Sequence, residues 1–302
     1  MVNLRGTLNG LTFALKSPLA KPLISSDQHD QIIALLIKAG QLALEAYEAY
    51  RQNPNSLSQS TKADQTPVTE ADLKVHELLL MGLSQITPDI DCVSEESDAA
   101  VHRARSETAW LIDPIDGTQQ FIDQTGEFSI NLALVHEQQA HLGYIVFVVD
   151  QQILAQNPEA SDQVSFHRFD GSQEPLSPKT DDKLTFALSA RSKKHDEAHY
   201  TRWCLDHLSA RPKFQRAGSS FKFRMILEGR ASAYPCPYPT SEWDTAAGQA
   251  LIEAVGGKLI NPAGKPFRYL DRDTLKNGSF ICLAPGFDPK HVHELIHCDP
   301  PA

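Results

Sequence analysis

Two helical patterns lead directly into three closely spaced strand patterns, and this order restricts the chain to folds that layer helices on sheets. Apolar residues recur at helical spacing over 32–46 and again over 75–83. Alternating or fully apolar strand patterns follow at 110–112, 128–134 and 142–149. Shorter helix and strand patterns continue to the C-terminal end without an obvious linker. The sequence therefore predicts α and β layers in one compact unit, a mixed α/β fold.

Capping and stop residues set the predicted boundaries. Ser26 and Asp27 form an N-cap pair before the first helix, and Thr69 begins the second. Gly256-Gly257 stops a helical pattern over 244–255. The other predicted elements are a polar loop over 52–67, loops or an irregular hairpin over 155–182, helices over 219–229 and 289–297, and strands near 184–189, 231–234 and 280–283.

Length and composition are those of an ordinary globular protein. The chain has 302 residues, 41% of them hydrophobic, which allows one large core or two fused subdomains. We predict a poorly ordered N-terminal extension over 1–26, because this stretch has no acid and matches a secretory signal poorly. An N-terminal α+β subdomain over 27–160 and a C-terminal α/β subdomain over 161–302 are expected to follow.

Charge and cysteine usage restrict the partners. With 28 basic and 38 acidic residues the net charge is −10, so the chain should repel a nucleic-acid polymer. A small anionic substrate would need bound cations or a local basic pocket. No apolar run approaches the roughly 20 residues of a membrane span. The five cysteines have no C-x-x-C spacing and indicate reduced thiols in a cytoplasmic protein, with peripheral association with the inner membrane left open.

The segment W-L-I-D-P-I-D-G-T over 110–118 is the most informative in the chain. Asp113 and Asp116 follow an apolar strand and should point to one side of a tight turn. Two carboxylates held together have raised pKa values unless a cation lies between them. Hard oxygen ligands without nearby His or Cys favour Mg²⁺ over zinc. Gly117 permits close backbone approach, and the amides after it open a short helix that can seat a phosphate.

Other acids have structural explanations when each is taken singly. Glu95 and Glu96 could be solvated charges, Asp244 could be an N-cap, and Thr69 with Asp72 could form a capping box. An isolated D-P-x-D-G is itself most often an acid-rich turn. It is the presence of all four stretches in one chain that favours a shared site.

This set of stretches resembles the inositol monophosphatase superfamily over roughly residues 30–285. The shared pattern is W-x-x-D-P-x-D-G-T, preceded by S-E-E-S and followed by W-D-x-A-A-G. Within the superfamily the chain is similar to the bacterial 3′(2′),5′-bisphosphate nucleotidases, in the segments that begin at Lys62, Gly126, Gly218 and Pro239. The resemblance implies a layered αβαβα sandwich of the inositol monophosphatase and sugar phosphatase type, usually assembled as a homodimer.

The resemblance also implies roles for the acids. Asp72 and Thr118 would orient the attacking water. Two or three Mg²⁺ ions per active site would be held by four carboxylates and one backbone carbonyl, those of Glu95, Asp113, Asp116, Asp244 and Ile115. Three further residues would have supporting roles: Glu96 beside the first ligand, Asp64 near a weaker third metal, and Arg191 facing the substrate.

A second group of residues would bind the substrate. Its expected members are Glu95, Asp116, Gly117, Thr118, Gly218, Ser219, Ser220, Lys222 and Asp244. The G-S-S-F-K segment at 218–222 offers hydroxyl and amide donors and one cation for a second phosphate. A helix N-cap with an exposed lysine is the structural alternative. Lys193 replaces a family histidine, and Cys236 stands where arginine is common, which puts exact substrate preference in doubt.

The implied activity is Mg²⁺-dependent hydrolysis of the 3′-phosphate of adenosine 3′,5′-bisphosphate, giving AMP and phosphate. It would clear a by-product of sulfate assimilation and be sensitive to lithium. An inositol monophosphatase or sugar bisphosphatase activity remains the alternative. A catalytically silent phosphate binder is disfavoured because it would need no water-orienting pair.

One further motif points elsewhere. The segment H-E-L-I-H at 293–297 matches the zincin pattern H-E-x-x-H, but five following residues leave little chain for a third ligand. A protease is therefore disfavoured. The sequence has no P-loop, dinucleotide-binding glycine motif or nucleophile elbow, so kinase, dehydrogenase and serine hydrolase activities have no support.

Overall fold

The computed structural model describes residues 22–54, 59–61, 67–97, 107–177, 184–190, 192–272 and 274–296. The helices are α1 Ser26–Gln52, α2 Glu70–Ile86, α3 Thr118–Ile122, α4 Lys194–Leu208, α5 Phe221–Leu227 and α6 Glu242–Ala254, followed by a 3₁₀ helix at Val292–Ile296. No helix in these segments is long and apolar enough to cross a membrane.

The strands in the N-terminal part are β1 Gln59–Thr61, β2 Pro67–Thr69, β3 Asp91–Ser94, β4 Thr108–Asp116, β5 Ser129–His136, β6 Gln139–Phe147, β7 Gln152–Gln156, β8 Val164–Arg168 and β9 Gln173–Pro175. Those that follow are β10 Thr185–Ser189, β11 Lys213–Ala217, β12 Ala233–Cys236, β13 Thr240–Ser241, β14 Lys258–Ile260, β15 Lys276–Asn277 and β16 Phe280–Leu283.

Two large sheets carry the fold. The first has seven strands in chain order from β3 to β9, with β3 parallel to β4 and every later pair antiparallel. The second sheet has the order β11-β10-β12-β16-β14. In it, β10 is parallel to β11 and β12, whereas β16 is antiparallel to β12 and β14. Two short ribbons, β1-β2 and β13-β15, complete the pairing in the described residues.

Within the described residues, three hydrophobic cores separate these layers. Alternate residues of β4 face opposite sides: Trp110 and Ile112 pack against α1 and α2, whereas Leu111 packs toward α5, α6 and the second sheet. A third core lies between the second sheet, α4 and the 3₁₀ helix. Helices and sheets therefore alternate in five layers, which confirms the αβαβα sandwich expected from the sequence. The predicted subdomain boundary stays a prediction; β7 and β8, which flank residue 160, lie in one sheet.

Most predicted elements are confirmed with small shifts of their ends. The cap of α1 is Ser25, one residue before the predicted pair, and it forms a capping box with Gln28. The stretch over 155–182 contains the β8-β9 hairpin. The predicted helix over 289–297 is wrong in type, because its described part is a short 3₁₀ helix.

Several elements were not predicted. The main one is α4. Its buried face is formed by Tyr200, Trp203 and Cys204, and the surrounding residues are mostly charged residues and histidines. Strands β3, β11 and β14 are short, and they are strands because they pair with neighbouring strands. Of the predicted N-terminal extension, residues 1–21 lie outside the described residues.

Candidate active site

A β-bulge at the end of β4 brings two aspartates to the same side of the chain. Asp113 pairs with Asn131 and Asp116 pairs with Ser129, so β4 has one more residue than β5 between the two pairs. In a regular strand, side chains three residues apart point to opposite faces. The inserted residue removes that difference and ends the strand in a turn.

Glycine is required at the next position. Gly117 has φ +92°, and a Cβ there would lie 3.0 Å from Gln120 Oε1 and 3.1 Å from Ser219 Cβ. An L side chain would therefore meet both backbone strain and crowding. The chain then enters α3, with Thr118 as its first residue.

Asp244 reaches the turn from a distant helix. One carboxylate oxygen from each of Asp113, Asp116 and Asp244 lies within 4.8 Å of the other two. Asp244 is the third residue of α6, and its Oδ2 accepts a hydrogen bond from the Ser241 amide at 2.7 Å. The N-cap is therefore Ser241, which corrects the alternative that Asp244 itself caps the helix. We call these three residues the carboxylate cluster.

Burial and mutual repulsion perturb the carboxylate cluster strongly. Burial raises the pKa of Asp113 well above its usual range, and the charges of Glu95, Asp116 and Asp244 raise it further. Burial, followed by the charges of Asp116 and Glu95, raises the pKa of Asp244 to about 8. Glu95 follows β3 and its carboxyl shares a hydrogen bond with Asp113, so the fourth predicted acid also lies at the cluster.

The carboxylate cluster fits a divalent cation. Asp113 Oδ1 is buried, and no described residue donates a hydrogen bond to it. Uncompensated carboxylates at this spacing are stabilised when a cation lies between them. All three members offer oxygen ligands, which are the ligands that hard cations such as Mg²⁺ prefer. The residues present can therefore hold a metal ion.

Asp72 and Thr118 lie next to each other, as the resemblance implied. Thr118 Oγ1 donates to Asp72 Oδ1 at 3.1 Å, with a longer contact of 3.3 Å to the Ile115 carbonyl oxygen. Asp72 Oδ2 accepts from the amide of Thr69 at 2.9 Å and from its hydroxyl at 2.5 Å. Asp72 is thus a capping residue of α2 and a partner of Thr118 at once. Burial raises its pKa, although these hydrogen bonds act in the opposite direction.

Asp116 is surrounded by four polar side chains. Its Oδ2 accepts from Ser219 at 2.7 Å and Ser220 at 2.9 Å, and it lies 3.3 Å from both Ser129 Oγ and Asn131 Nδ2. The Ser129 and Ser219 hydroxyls also share a hydrogen bond of 2.6 Å. Ser129 and Asn131 were not predicted as site residues from the sequence. The available signal was two polar residues, two positions apart, on one face of an otherwise apolar strand.

The loop before α5 and the first turn of that helix carry the other predicted substrate residues. Ser220 occupies the cap position of α5, but its hydroxyl donates to Asp116 and makes no cap hydrogen bond. Lys222 is buried, so the alternative of an exposed lysine is wrong. Its ammonium donates to the carbonyl oxygens of Ala217 and Ser219, and burial lowers its pKa. The Gly218 amide donates to Glu127 Oε2 at 2.7 Å, so Glu127 holds this loop in place, a role that was not predicted from the sequence.

The remaining predicted residues are more peripheral. Glu96 is half-buried in the turn after β3. Asp64 and Arg191 lie outside the described residues. Lys193 is the N-cap of α4, where its amide donates to Asp196 Oδ2 at 2.7 Å. Cys236 is buried on β12, and burial raises the pKa of its thiol.

Comparison with known proteins identifies the family. The model of the inositol monophosphatase family matches residues 27–299. The chain belongs to the inositol monophosphatase family. Among its relatives in this family is the 3′(2′),5′-bisphosphate nucleotidase CysQ of Salmonella typhimurium, 32% identical over 253 residues that cover 83% of this chain and 97% of the relative. The CysQ protein of Escherichia coli is 31% identical with the same coverage.

Solved structures of family members agree. CysQ from Bacteroides thetaiotaomicron superposes with a TM-score of 0.71 at 29% identity, covering 86% of this chain and 98% of that one. An inositol monophosphatase from Zymomonas mobilis gives a TM-score of 0.63 at 21% identity, covering 89% and 96%, and supports the fold alone. The family recognised from the sequence is therefore confirmed.

Proposed function

We propose that this chain is a Mg²⁺-dependent phosphomonoesterase that removes the 3′-phosphate of adenosine 3′,5′-bisphosphate, giving AMP and phosphate. The observation that carries the proposal is the carboxylate cluster, whose oxygens lie within 4.8 Å of one another. The hydrogen-bonded pair of Asp72 and Thr118 could orient a water molecule for attack, which a site that only binds phosphate would not need. Similarity to the CysQ relatives over most of the chain supports the nucleotide substrate.

Glu95, Asp113, Asp116 and Asp244 would hold the cations through carboxylates, with Ile115 adding its carbonyl oxygen. Bound Mg²⁺ supplies positive charge to the phosphoryl group and makes water more acidic. Two or three ions per site would match the number of acids present. Burial, followed by the charges of the neighbouring acids, raises the pKa values of Asp113 and Asp244, and bound cations would stabilise both carboxylates.

Asp72 and Thr118 would move the proton of the attacking water. Thr118 Oγ1 donates its own proton to Asp72 Oδ1, so its lone pairs face away from Asp72 and can accept from water. As water attacks phosphorus, its proton would pass to Thr118 and the hydroxyl proton to Asp72. The raised pKa of Asp72 makes its carboxylate a better base for this step. No protein nucleophile is needed, so no phosphorylated residue should form.

The rest of the nucleotide would be bound by the two loops that meet at Asp116. The amides of Gly117 and Thr118 would hold the reacting phosphoryl group. Gly218, Ser219, Ser220 and Lys222 would face the 5′-phosphate. The hydroxyls of Ser219 and Ser220 donate to Asp116. A phosphate bound at this loop would therefore compete with Asp116 for these two donors.

Substrate comparison tests this proposal directly. The purified chain would be supplied with Mg²⁺ and, separately, adenosine 3′,5′-bisphosphate, inositol 1-phosphate and fructose 1,6-bisphosphate. We expect the highest kcat/KM for the nucleotide and loss of turnover after chelation. Faster turnover of the inositol or sugar phosphate would favour the alternative activity. That alternative is tested because Lys193 and Cys236 differ from the residues common in the nucleotidases. Absence of turnover for all three would overturn the phosphatase assignment.

A further inference from the structure

An exposed lysine lies beside the start of the helix that carries Asp244. Lys276 is on β15, where it pairs with Ser241 of the antiparallel strand β13. Its ammonium donates to Ser241 Oγ at 3.0 Å. Ser241 is the N-cap of α6, and its amide donates to Asp244 Oδ2 at 2.7 Å. One residue therefore connects the lysine to a member of the carboxylate cluster.

A buried hydrogen-bond network fixes β15 to α6. Asn277, the residue after Lys276, is buried and donates to Thr245 Oγ1 at 2.7 Å. Arg272 donates to Asn277 Oδ1 at 2.7 Å and to the buried carboxylate of Glu242, also at 2.7 Å. Both Glu242 and Thr245 belong to the first turn of α6. The backbone at Lys276 is therefore held in place, while its side chain is exposed to solvent.

The charge of Lys276 acts on the carboxylate cluster. Burial, followed by the charges of Asp116 and Glu95, raises the pKa of Asp244, and the ammonium of Lys276 acts in the opposite direction. A nearby opposite charge favours the ionised form of a carboxyl group. The lysine and Asp244 are thus electrostatic neighbours. A phosphate held at the carboxylate cluster would have a cation of the protein on its α6 side.

Lys276 has more hydrogen-bonding capacity for a substrate than Lys222 has. The ammonium of Lys222 is buried and donates to the carbonyl oxygens of Ala217 and Ser219. An ammonium group has three donors, so at most one remains there. Lys276 is exposed and gives one donor to Ser241. Within the described segments its other two donors have no partner, so they are available to a bound anion.

We propose that Lys276 binds the 5′-phosphate of the nucleotide, the phosphate that is not hydrolysed. The proposal rests on the proposed function and names the residue by which the site distinguishes a nucleotide with two phosphates from one with a single 3′-phosphate. The carboxylate cluster and its cations would hold the reacting phosphoryl group. Lys276 would add a flexible cation to the donors of the loop before α5, and a phosphate accepts such charge-assisted hydrogen bonds strongly.

Two nucleotides that differ only in the 5′-phosphate test the proposal. Adenosine 3′,5′-bisphosphate and adenosine 3′-monophosphate carry the same reacting group, and kcat/KM is measured for both at saturating Mg²⁺. Lys276→Met keeps the approximate length of the side chain and removes its charge. We expect kcat/KM of this variant for the bisphosphate to fall about tenfold or more, mainly through a higher KM. The value for the monophosphate should change much less.

Two further variants separate charge from shape and the site from the general surface. Lys276→Arg keeps a cation and should keep most of the preference for the bisphosphate. Lys265→Met is the matched control, because Lys265 is an exposed lysine between β14 and β15, and it should leave both values unchanged. An equal loss for both nucleotides in Lys276→Met would overturn the proposal, since the lysine would then act through Asp244 and the cations. Unchanged values would overturn it as well.

The affinity for AMP separates the role of Lys276 from the phosphatase function. AMP has the 5′-phosphate and no 3′-phosphate, so calorimetry can measure its binding whether or not turnover occurs. We expect the wild type to bind AMP more tightly than adenosine, and Lys276→Met to bind AMP about tenfold more weakly. If this result accompanies a wild type that hydrolyses neither nucleotide, the phosphatase assignment fails and Lys276 remains a phosphate ligand. If the wild type hydrolyses both nucleotides and Lys276→Met binds AMP normally, the assignment of Lys276 fails alone.

Discussion

Two aspartates of the candidate active site have the same local structure and different surroundings. Asp72 in α2 and Asp244 in α6 are each the third residue of a helix, and each accepts a hydrogen bond from the amide of its N-cap residue. Asp72 faces the hydroxyls of Thr69 and Thr118, whereas Asp244 faces the carboxylates of Asp113 and Asp116. Local sequence builds both caps, but the element that faces each cap decides whether its second oxygen meets hydroxyl groups, as in Asp72, or other carboxylates, as in Asp244.

The interactions that shift the pKa also differ between the two aspartates. Burial is the largest cause of the raised pKa in both. For Asp72, hydrogen bonds from Thr69 and Thr118 are the next largest effects, and they stabilise its carboxylate. For Asp244, the next effects are the charges of Asp116 and Glu95, which destabilise it. A single change at Asp116 should therefore act mainly on the surroundings of Asp244.

The largest effect is expected for Asp116→Asn. The amide oxygen can still accept from Ser219 and Ser220, so the fold should survive. The amide nitrogen would then replace the other carboxylate oxygen, next to Asp113 and Asp244 in the carboxylate cluster. Loss of one charged ligand should reduce Mg²⁺-dependent turnover by about three orders of magnitude or more. Steady-state kinetics at saturating Mg²⁺, with thermal unfolding as the check on folding, measures this. Near-normal turnover would show that the site is assigned wrongly.

The pair Asp72→Asn and Asp244→Asn separates proton transfer from cation binding. In Asp72→Asn, both donors of Thr69 keep the amide oxygen on their side, so the NH₂ group faces Thr118 and blocks its proton donation. We expect kcat to fall about a hundredfold with little change in the Mg²⁺ concentration for half-activity.

In Asp244→Asn, the Ser241 amide likewise keeps the oxygen, and the NH₂ group enters the carboxylate cluster. Here the Mg²⁺ concentration for half-activity should rise about tenfold or more. Mg²⁺ titrations of kcat for both variants measure the contrast. If both variants changed the same parameter, the two aspartates would not have the separate roles that their neighbours indicate.

Stability against pH sharpens the comparison further. Asp244 has its pKa raised from 3.8 to about 8, so the folded, metal-free protein binds its proton more tightly than the unfolded chain does. This contribution to stability is complete below the unfolded pKa and is lost as pH rises through the folded one. Without metal, the unfolding midpoint should therefore fall between pH 4 and 8, approximately. Excess Mg²⁺ should flatten the decline, and Asp244→Asn should weaken it. A metal-free profile that rises over this range would contradict the account.

The local parts of this site could be predicted from the sequence, and the long-range parts only through resemblance. The turn at Asp113 and Asp116 and the capping box at Asp72 depend on a few neighbouring residues, and both are visible as patterns. The approach of Asp244 to Asp116 depends on a bulge in β4 and on α6 packing against the first sheet. No local pattern contains that information. Glu127 and Asn131 were missed for the same reason, because their partners lie on other elements.

The smallest effect is expected for Thr69→Val, which tests the hydrogen bonds that distinguish Asp72 from Asp244. Valine keeps the size of threonine and its backbone amide, so the 2.9 Å bond to Asp72 remains while the hydroxyl donor is lost. Removing one buried hydrogen bond should lower the free energy of unfolding by about 1 kcal/mol. Asp72 Oδ1 keeps its contact with Thr118, so kcat should change by less than about tenfold. Thr69→Ser restores the donor and serves as the control, with denaturant unfolding and kcat measured on both. A loss of turnover as large as that of Asp72→Asn would mean that the hydroxyl of Thr69 takes part in proton transfer, and that Asp72 is more than an acceptor held in place by its cap.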